Sequence, residues 1–561
     1  MKKKIKIYCG NLGRNIECEG ADTLLDIVAS EPEIRAMRPI CARVNNKTES
    51  LDYAVYGPKT VTFLDRCTAS GPRVYTRSLC MLLYRAVVAV CPAGTKLRME
   101  HSISHGYYCR LKAADGSTCH PDKAMADALL CEMRRLVAAD LPFETHEAPT
   151  AEVVELFRSQ NLLDKTMLLE TTRQPYTVYH TLDGISDCYY GALAPSTAHI
   201  DVFDLLPYGE GLLLLPFDPS NPSVAATPVT QQKMYRAFTD YVEFNTILGI
   251  ENVGELNRYV EKHRAADLIN VAEALHEKSL ARISDEISRR YAEGGARVVL
   301  IAGPSSSGKT TTTKRLAIQL MTNLLKPEII SLDNYFVDRT RTPLDESGDY
   351  DYESLYALDL EAFNSDLNRI IAGEEVPLPT YNFETGTRQY KGNTIKLSDK
   401  SILLIEGIHG LNPELTAHIE EKMKFRVYVS ALTTLSIDDH NWVPTTDNRL
   451  LRRIIRDFKY RGTSAEESIR RWPSVRRGEE KWIFPYQENA DATFNSSLLF
   501  ELGVMKDYAE NVLRHVHADV PEYAEAYRLR KFLSYFLPIP ANLIPSTSLL
   551  REFLGGSSFK Y

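Results

Sequence analysis

An apolar run without alternation leads directly into a loop of small residues, and this junction constrains the chain more than any other feature. The run is Arg297 to Ala302, and the loop after it reads GPSSSGKT, which fits the pattern GxxxxGK[ST]. Helix-favouring residues follow, from Thr311 to Leu325. A strand, a small-residue loop and a helix N-terminus together direct backbone amides at phosphate groups. We therefore predict that this segment binds ATP or GTP.

Two side chains of the loop have expected roles of their own. Lys309 should reach the β and γ phosphates, and the Thr310 hydroxyl should ligate magnesium. A chance glycine-rich turn before a helix is the alternative, and the intact motif with its strand and helix disfavours it. The residues that we expect to bind ATP are Gly303, Ser305, Ser306, Ser307, Gly308, Lys309, Thr310 and Thr311.

Further apolar runs predict the sheet around this loop. They lie at Glu328 to Leu332, Ser401 to Ile405 and Phe425 to Val429, separated by segments long enough for helices. Continuous β-branched runs are typical of strands buried on both faces, and strands that alternate with helices form doubly wound sheets. The prediction is an α/β fold with a doubly wound parallel sheet.

Two carboxylates stand where predicted strands end. Asp333 follows the second apolar run, and Glu406 follows the third. Ligands of open α/β sheets bind at this carboxyl edge. There Asp333 could orient or deprotonate an attacking hydroxyl, and Glu406 could hold the magnesium shell. In isolation, a turn-forming Asp at a strand end would be the default interpretation.

An arginine stripe follows at helical spacing. Its members share one helix face, because they lie at i, i+3, i+4 and i+7. A solvated face is the usual explanation, but solvated faces normally mix charge signs. Arginines that swing onto transferring phosphates lower the barrier, so we favour a lid that acts in catalysis. The four residues are Arg449, Arg452, Arg453 and Arg456.

At this point the chain resembles the uridine kinase and phosphoribulokinase family of P-loop kinases. The resemblance implies that Asp333 is the catalytic base and that Asp351 holds ribose hydroxyls. It also implies that Tyr381 and Phe383 contact the base and that Arg388 binds substrate. The motifs that carry it are GPSSSGKTT at 303–311, SLDNYF at 331–336, DYDYESLYALDL at 349–360, PTYNFETGTR at 379–388, IEGIHGL at 405–411 and RLLRRIIRDFKYRG at 449–462.

One position departs from the family's pattern. Gly386 stands where pyrimidine nucleoside kinases of the family carry a base-reading His. Loss of a polar contact is how such sites lose discrimination. The expected activity is an ATP- and Mg-dependent phosphotransferase acting on a nucleoside 5′-hydroxyl, with the base preference open. The alternatives are a P-loop kinase for a non-nucleoside alcohol and a nucleotide-sensing, RNA-linked binding protein.

The first half of the chain resembles other families. Residues 1–65 resemble a TGS domain, and DLPFE at 140–144 with DCYYGALAPSTAHI at 187–200 resembles the editing domain of threonyl-tRNA synthetases. The histidines of that editing site are missing, so its ligands are expected to be lost. The predicted divisions are a TGS-like domain at 1–65, an editing-like domain at 72–225, a helical connector at 226–292, the P-loop kinase domain at 293–506 and a C-terminal helical extension at 507–561.

Charge and composition bound the partners. The chain has 66 Lys and Arg residues against 74 Asp and Glu residues, a net charge of −8. This balance argues against nucleic-acid binding over the whole surface of the protein. The apolar runs are too short to span a bilayer, so a cytoplasmic location without a membrane partner is expected. The ten cysteines form no CxxC pair, and buried free thiols are expected. We expect a small-molecule substrate, favour a nucleoside over nucleic acid, and leave a homo-oligomer open.

Overall fold

A computed structural model of the protein describes residues 4–346 and 348–561, and its first unit is a five-stranded sheet in the order β2-β1-β5-β3-β4. Its first strand is Lys4–Cys9, whose alternate residues Ile5 and Ile7 are buried. Thr23 and Asp26 form a capping box that starts the first helix. The elements are β1 (Lys4–Cys9), β2 (Arg14–Glu19), α1 (Leu24–Ser30), α2 (Pro32–Ala36), β3 (Cys41–Val44), β4 (Lys47–Glu49) and β5 (Thr60–Leu64).

The second unit surrounds one long buried helix, α3. Thirteen of its 20 residues are buried, and they pack against two antiparallel sheets and the neighbouring helices. The elements are α3 (Gly71–Val90), β6 (Lys96–Ile103), β7 (Gly106–Lys112), β8 (Thr118–Cys119), α4 (Lys123–Ala138), β9 (Glu144–Pro149), α5 (Thr150–Ser159), α6 (Leu163–Thr172), β10 (Tyr176–Leu182), β11 (Ile185–Asp187), β12 (Asp204–Tyr208), β13 (Gly211–Leu215), β14 (Phe217–Asp218) and β15 (Asn221–Ala225).

Three helices lead into the remaining half. They are α7 (Gln232–Leu248), α8 (Val253–Glu261) and α9 (Ala265–Ala292). The last of these helices, α9, is also part of a hydrophobic core. Leu280, Ile283 and Ile287 of α9 pack in one core with residues of the following sheet.

That sheet has five parallel strands in the order β17-β20-β16-β21-β24. Val298 and Leu300 of β16 face one core, while Val299 and Ile301 face the opposite one. The predicted doubly wound α/β sheet is confirmed. The elements up to its last strand are β16 (Val298–Ala302), α10 (Lys309–Thr322), β17 (Lys326–Ser331), α11 (Leu360–Ile371), β18 (Val376–Asn382), β19 (Thr387–Ile395), β20 (Ser401–Glu406), β21 (Lys424–Ser430), β22 (Ser436–Asp438), β23 (Asn441–Trp442), α12 (Thr445–Arg461), α13 (Ala465–Trp482) and β24 (Ala492–Asn495).

The C-terminal helices are α14 (Glu501–Leu513), α15 (Tyr523–Leu533) and α16 (Arg551–Leu554). Leu502 and Met505 of α14 and Leu529 of α15 share a core with α12 and with α8 from the connecting segment. The short α16 returns to the parallel sheet, where Phe553 packs with residues of α9 and α10. The C-terminal helices therefore pack both on the connecting helices and on the core of the parallel sheet.

A buried ionic cluster also fastens the two halves together. Lys165 of α6 lies 2.8 Å from Asp187 and 2.8 Å from Asp438, and His440 Nδ1 lies 2.7 Å from Asp187. Asn441 Nδ2 donates to the carbonyl of Cys188 at 2.9 Å. Buried charges are tolerated only when they are paired. Lys165 and Asp187 come from the first half of the chain and Asp438 and His440 from the second, so each half neutralises charges of the other.

The cysteine prediction is confirmed in part. All ten cysteines are free, and six of them are buried. Among residues 4–346 and 348–561, no helix is both long and apolar enough to cross a membrane.

Candidate active site

The loop between β16 and α10 is shaped by its two glycines. A Cβ at Gly303 would lie 2.0 Å from the carbonyl oxygen of Val429, so only glycine fits there. Gly308 has φ +83°, in the left-handed region that favours glycine, immediately before α10 begins at Lys309. The Lys309 amine reaches back to the Pro304 carbonyl at 3.2 Å. The backbone thus has the strand, loop and helix geometry predicted for phosphate binding.

Three arginines of α12 donate hydrogen bonds to this loop. Arg449 Nε donates to the Ser305 carbonyl at 3.0 Å, and Arg452 Nη1 to the Ser306 carbonyl at 3.4 Å. Arg453 Nη1 donates to the Ser305 hydroxyl at 3.1 Å. Three of the four arginines of the stripe therefore contact the loop.

The four arginines differ in what else they bind. Arg449 and Arg452 are fully buried and pair with Glu479 and Glu501. Arg453 and Arg456 are half-buried and both pair with Asp457 on their own helix. Two of the arginines are therefore fixed within the packed interior, and the two outer ones keep partial access to solvent.

A carboxylate and two hydroxyls converge at the carboxyl edge of the sheet. Glu406 Oε1 lies 3.5 Å from Thr310 Oγ1 and accepts a hydrogen bond from Ser331 Oγ at 2.9 Å. Asp333 lies two residues beyond β17, in a short 3-10 helix, and is half-buried. Burial, and then the charge of Asp333, raises the pKa of Glu406 to about 7. A divalent cation would relieve this repulsion, and one carboxylate with one hydroxyl is a protein ligand set that Mg²⁺ accepts beside phosphate oxygens and water.

An aromatic group lies beside this edge. The Tyr381 ring lies 5.1 Å from Phe383 and 5.6 Å from Phe336, and Phe383 is exposed. Asp351 is half-buried, and its carboxylate accepts a hydrogen bond from the Glu353 amide at 3.1 Å. Arg388, expected to bind substrate, pairs with Asp359 at 2.7 Å.

The departure at Gly386 has a structural explanation. Gly386 has φ +69°, and a Cβ there would lie 2.8 Å from the Cβ of Arg339 and 2.9 Å from its Nε. Arg339 Nη2 donates to the Phe383 carbonyl. An arginine side chain therefore fills the space next to position 386.

Sequence reasoning missed two carboxylates at the loop. Glu479 of α13 accepts a hydrogen bond from the Ser305 amide at 3.1 Å. Glu552 of α16 accepts hydrogen bonds from the amide and the hydroxyl of Thr311, at 3.2 and 2.5 Å. Glu552 is 241 residues from Thr311 along the chain, so no local pattern could have indicated the contact.

Sequence comparison relates the chain to one family of kinases. The sequence model of the phosphoribulokinase/uridine kinase family matches residues 298–498. A uridine kinase of Staphylococcus aureus (strain JH9) is 30% identical over 197 residues, which are 35% of this chain and 84% of the relative.

Two solved structures are more distant. One from Bacillus stearothermophilus, described as a possible uridine kinase, has 22% identity and a TM-score of 0.26, covering 38% of this chain and 98% of the other. D-glycerate 3-kinase from Cryptococcus neoformans has 12% identity and a TM-score of 0.27, covering 37% and 87%. These TM-scores are too low to support a fold assignment. The assignment depends instead on the strand order of this chain. By its sequence match, the chain belongs to the phosphoribulokinase/uridine kinase family and contains a P-loop kinase.

Proposed function

We propose that this protein is an ATP- and Mg²⁺-dependent kinase that phosphorylates the 5′-hydroxyl of a nucleoside. The observation that carries the proposal is the meeting of three groups at one sheet edge. They are the phosphate loop with Lys309, the carboxylates Asp333 and Glu406, and the aromatic group formed by Phe336, Tyr381 and Phe383. The first two suit phosphoryl transfer, and the third offers ring faces to a flat acceptor.

In this proposal each side chain has one task. Asp333 orients or deprotonates the attacking hydroxyl, and Lys309 with Arg453 and Arg456 neutralises charge on the transferring group. Thr310 and Glu406 would hold Mg²⁺, which supplies charge neutralisation at the phosphate oxygens. Arg449 and Arg452 position the loop from within the packed interior.

The acceptor side favours a neutral molecule with a diol. Asp351 is a carboxylate that can accept hydrogen bonds from two hydroxyls, and it would repel a sugar phosphate. Arg339 carries only hydrogen-bond donors. If its free donors face the base, they would pair with carbonyl oxygens.

The test is a kinase assay with the full chain, ATP and Mg²⁺, read by product mass. The acceptors are the common nucleosides, 5′-deoxyuridine as a control without the hydroxyl, and several sugar alcohols. The proposal expects a phosphorylated nucleoside and no product from 5′-deoxyuridine. If only sugar alcohols were phosphorylated, the acceptor would be a non-nucleoside alcohol. If no acceptor gave a product, the kinase assignment would be refuted.

Asp333→Asn tests the assigned base. We expect kcat to fall by at least about 100-fold because proton removal from the hydroxyl loses its acceptor. Asp399→Asn is the matched control, since Asp399 is exposed and precedes β20 at the opposite, amino-terminal end of that strand. An Asp333→Asn variant with wild-type turnover would show that another group serves as the base.

A further inference from the structure

A cavity of about 180 Å³ lies between the two halves, remote in the chain from the phosphate loop. Its walls come from three places: the first turns of α3, the β22–β23 hairpin with the start of α12, and the face of α15. Thr76, Trp442 and Phe532 represent these three walls. An apolar cavity of roughly 150 Å³ is large enough for benzene, so this one has room for a single ring with a substituent.

The charges around the cavity do not balance. Arg73 pairs with Glu525 at 2.8 Å, and Arg528 pairs with Asp447 at 2.6 Å. Arg528 also binds Glu525 at 2.5 Å. Arg73, Arg77 and Arg528 are thus set against only two carboxylates, Asp447 and Glu525, and the positive charge of Arg77 is left over.

Arg77 is held in place but has no carboxylate partner among the described residues. Its Nε donates to the Ala192 carbonyl at 3.2 Å, and no hydrogen bond or ion pair engages its two terminal nitrogens within residues 4–346 and 348–561. Burial, followed by the charges of Arg73 and Arg528, lowers the pKa of Arg77 to about 9. By contrast, the buried guanidinium groups of Arg98 and Arg315 both have carboxylate partners.

The rest of the lining is mainly apolar and aromatic. The Tyr107 and Trp442 rings lie 4.7 Å apart at one side, and Ile437 and Phe532 contribute further apolar surface. Ligand sites commonly combine such walls with a few polar groups that fix orientation. The surplus guanidinium supplies that polar group here.

We propose that this cavity is a binding site for a small organic monoanion, a carboxylate carried on a single apolar or aromatic body. The carboxylate pairs with the two free nitrogens of Arg77, an arrangement in which both N–H groups can donate in parallel. The apolar body fills the space beside Trp442. A doubly charged phosphate would overcompensate the single surplus charge, and an anion without an apolar body would leave the aromatic wall uncovered.

The test uses benzoate, benzamide and inorganic phosphate as probes in calorimetric titrations of the full chain. We expect benzoate to bind with a Kd of about 1 mM or lower, and benzamide and phosphate to bind at least about tenfold more weakly. Equal binding of benzoate and benzamide would refute the role of charge. Absence of benzoate binding at about 10 mM would refute the site.

Matched variants assign the binding to Arg77. Arg77→Met should lower benzoate affinity by at least about tenfold, and Arg77→Lys should retain part of it. Arg85→Met is the control, because Arg85 lies on the same helix two turns further along and pairs with Asp183 outside the cavity. Melting curves establish that the variants are folded. If Arg77→Met melts as the wild type does and still binds benzoate equally well, the proposal is wrong; if it is unfolded, Arg77→Lys and the comparison of benzoate with benzamide decide.

Discussion

Glu479 and Glu552 accept hydrogen bonds from backbone amides at the loop, the class of donor that holds a nucleotide's phosphates. For Glu552 the contact is to Thr311, in the first turn of α10. A carboxylate there occupies a donor and adds negative charge beside the incoming phosphates. A bound nucleotide must therefore either displace the Glu552 carboxylate or tolerate its electrostatic repulsion.

We expect Glu552→Gln to bind ATP more tightly, by about three- to tenfold, because the amide removes the negative charge. Titration calorimetry with ATP in the absence of acceptor measures the change. Glu361→Gln, an exposed change on α11, is the control. Weaker ATP binding by Glu552→Gln would instead mean that the carboxylate supports the loop.

Arg339, beside Phe383, is placed to contact the acceptor. Arg339→Ala should raise the acceptor KM by about tenfold while changing kcat less, because the residue is expected to bind rather than react. Steady-state kinetics with the preferred nucleoside measures both constants. Arg369→Ala, a change at an exposed ion pair on α11, should leave both constants unchanged.

The helix α12 joins the phosphate loop to the C-terminal helices. Arg452 contacts Ser306, Ser496 and Glu501, which come from the loop, the end of β24 and the start of α14. Removing one member of a buried ion pair leaves an uncompensated charge.

Arg452→Met should therefore lower the free energy of unfolding by about 3–5 kcal/mol. The urea midpoint, followed by circular dichroism, measures the loss. The double variant Arg452→Met with Glu501→Met should recover most of it, since no unpaired charge then remains. A double variant as unstable as the single one would show that packing, not charge, sets the cost.

The ionic cluster of Lys165, Asp187, Asp438 and His440 should make the stability of the contact between the two halves of the chain depend on pH. Burial lowers the pKa of His440, but the Asp187 carboxylate outweighs burial and raises it above its ordinary value of 6.5. A raised folded-state pKa means that the protonated imidazole stabilises the fold. This contribution is complete below pH 6.5 and is lost as pH rises through the raised value.

His440→Gln should consequently be less stable than the wild type by about 2 kcal/mol in mild acid, and the difference should shrink in alkaline buffer. Melting temperatures of both proteins across that pH range measure it. A stability difference that stays constant with pH would show that His440 contributes through packing, for which its contact with Tyr84, with ring centroids 4.2 Å apart, would be the reason.

Features set by residues close together in sequence could be predicted, and contacts between residues far apart in sequence could not. The loop, Asp333 and Glu406 follow from local order, because a strand places its next residue at the sheet edge. The pairing of Arg452 with Glu501, the position of Glu552 and the surplus charge of Arg77 depend on side chains far apart in sequence. The division into domains from 1–65 to 507–561 stays a prediction, although α9 and α16 pack directly on the kinase sheet.

The helix α12 connects the cavity to the phosphate loop, so binding at the two places can be coupled. Asp447 in its first turn lines the cavity, while Arg449, two residues later, binds the Ser305 carbonyl. If occupancy of the cavity changes the affinity for ATP, then ATP must change the affinity of the cavity for its anion by the same factor. Titrating benzoate with and without ATP, and ATP with and without benzoate, would close that cycle.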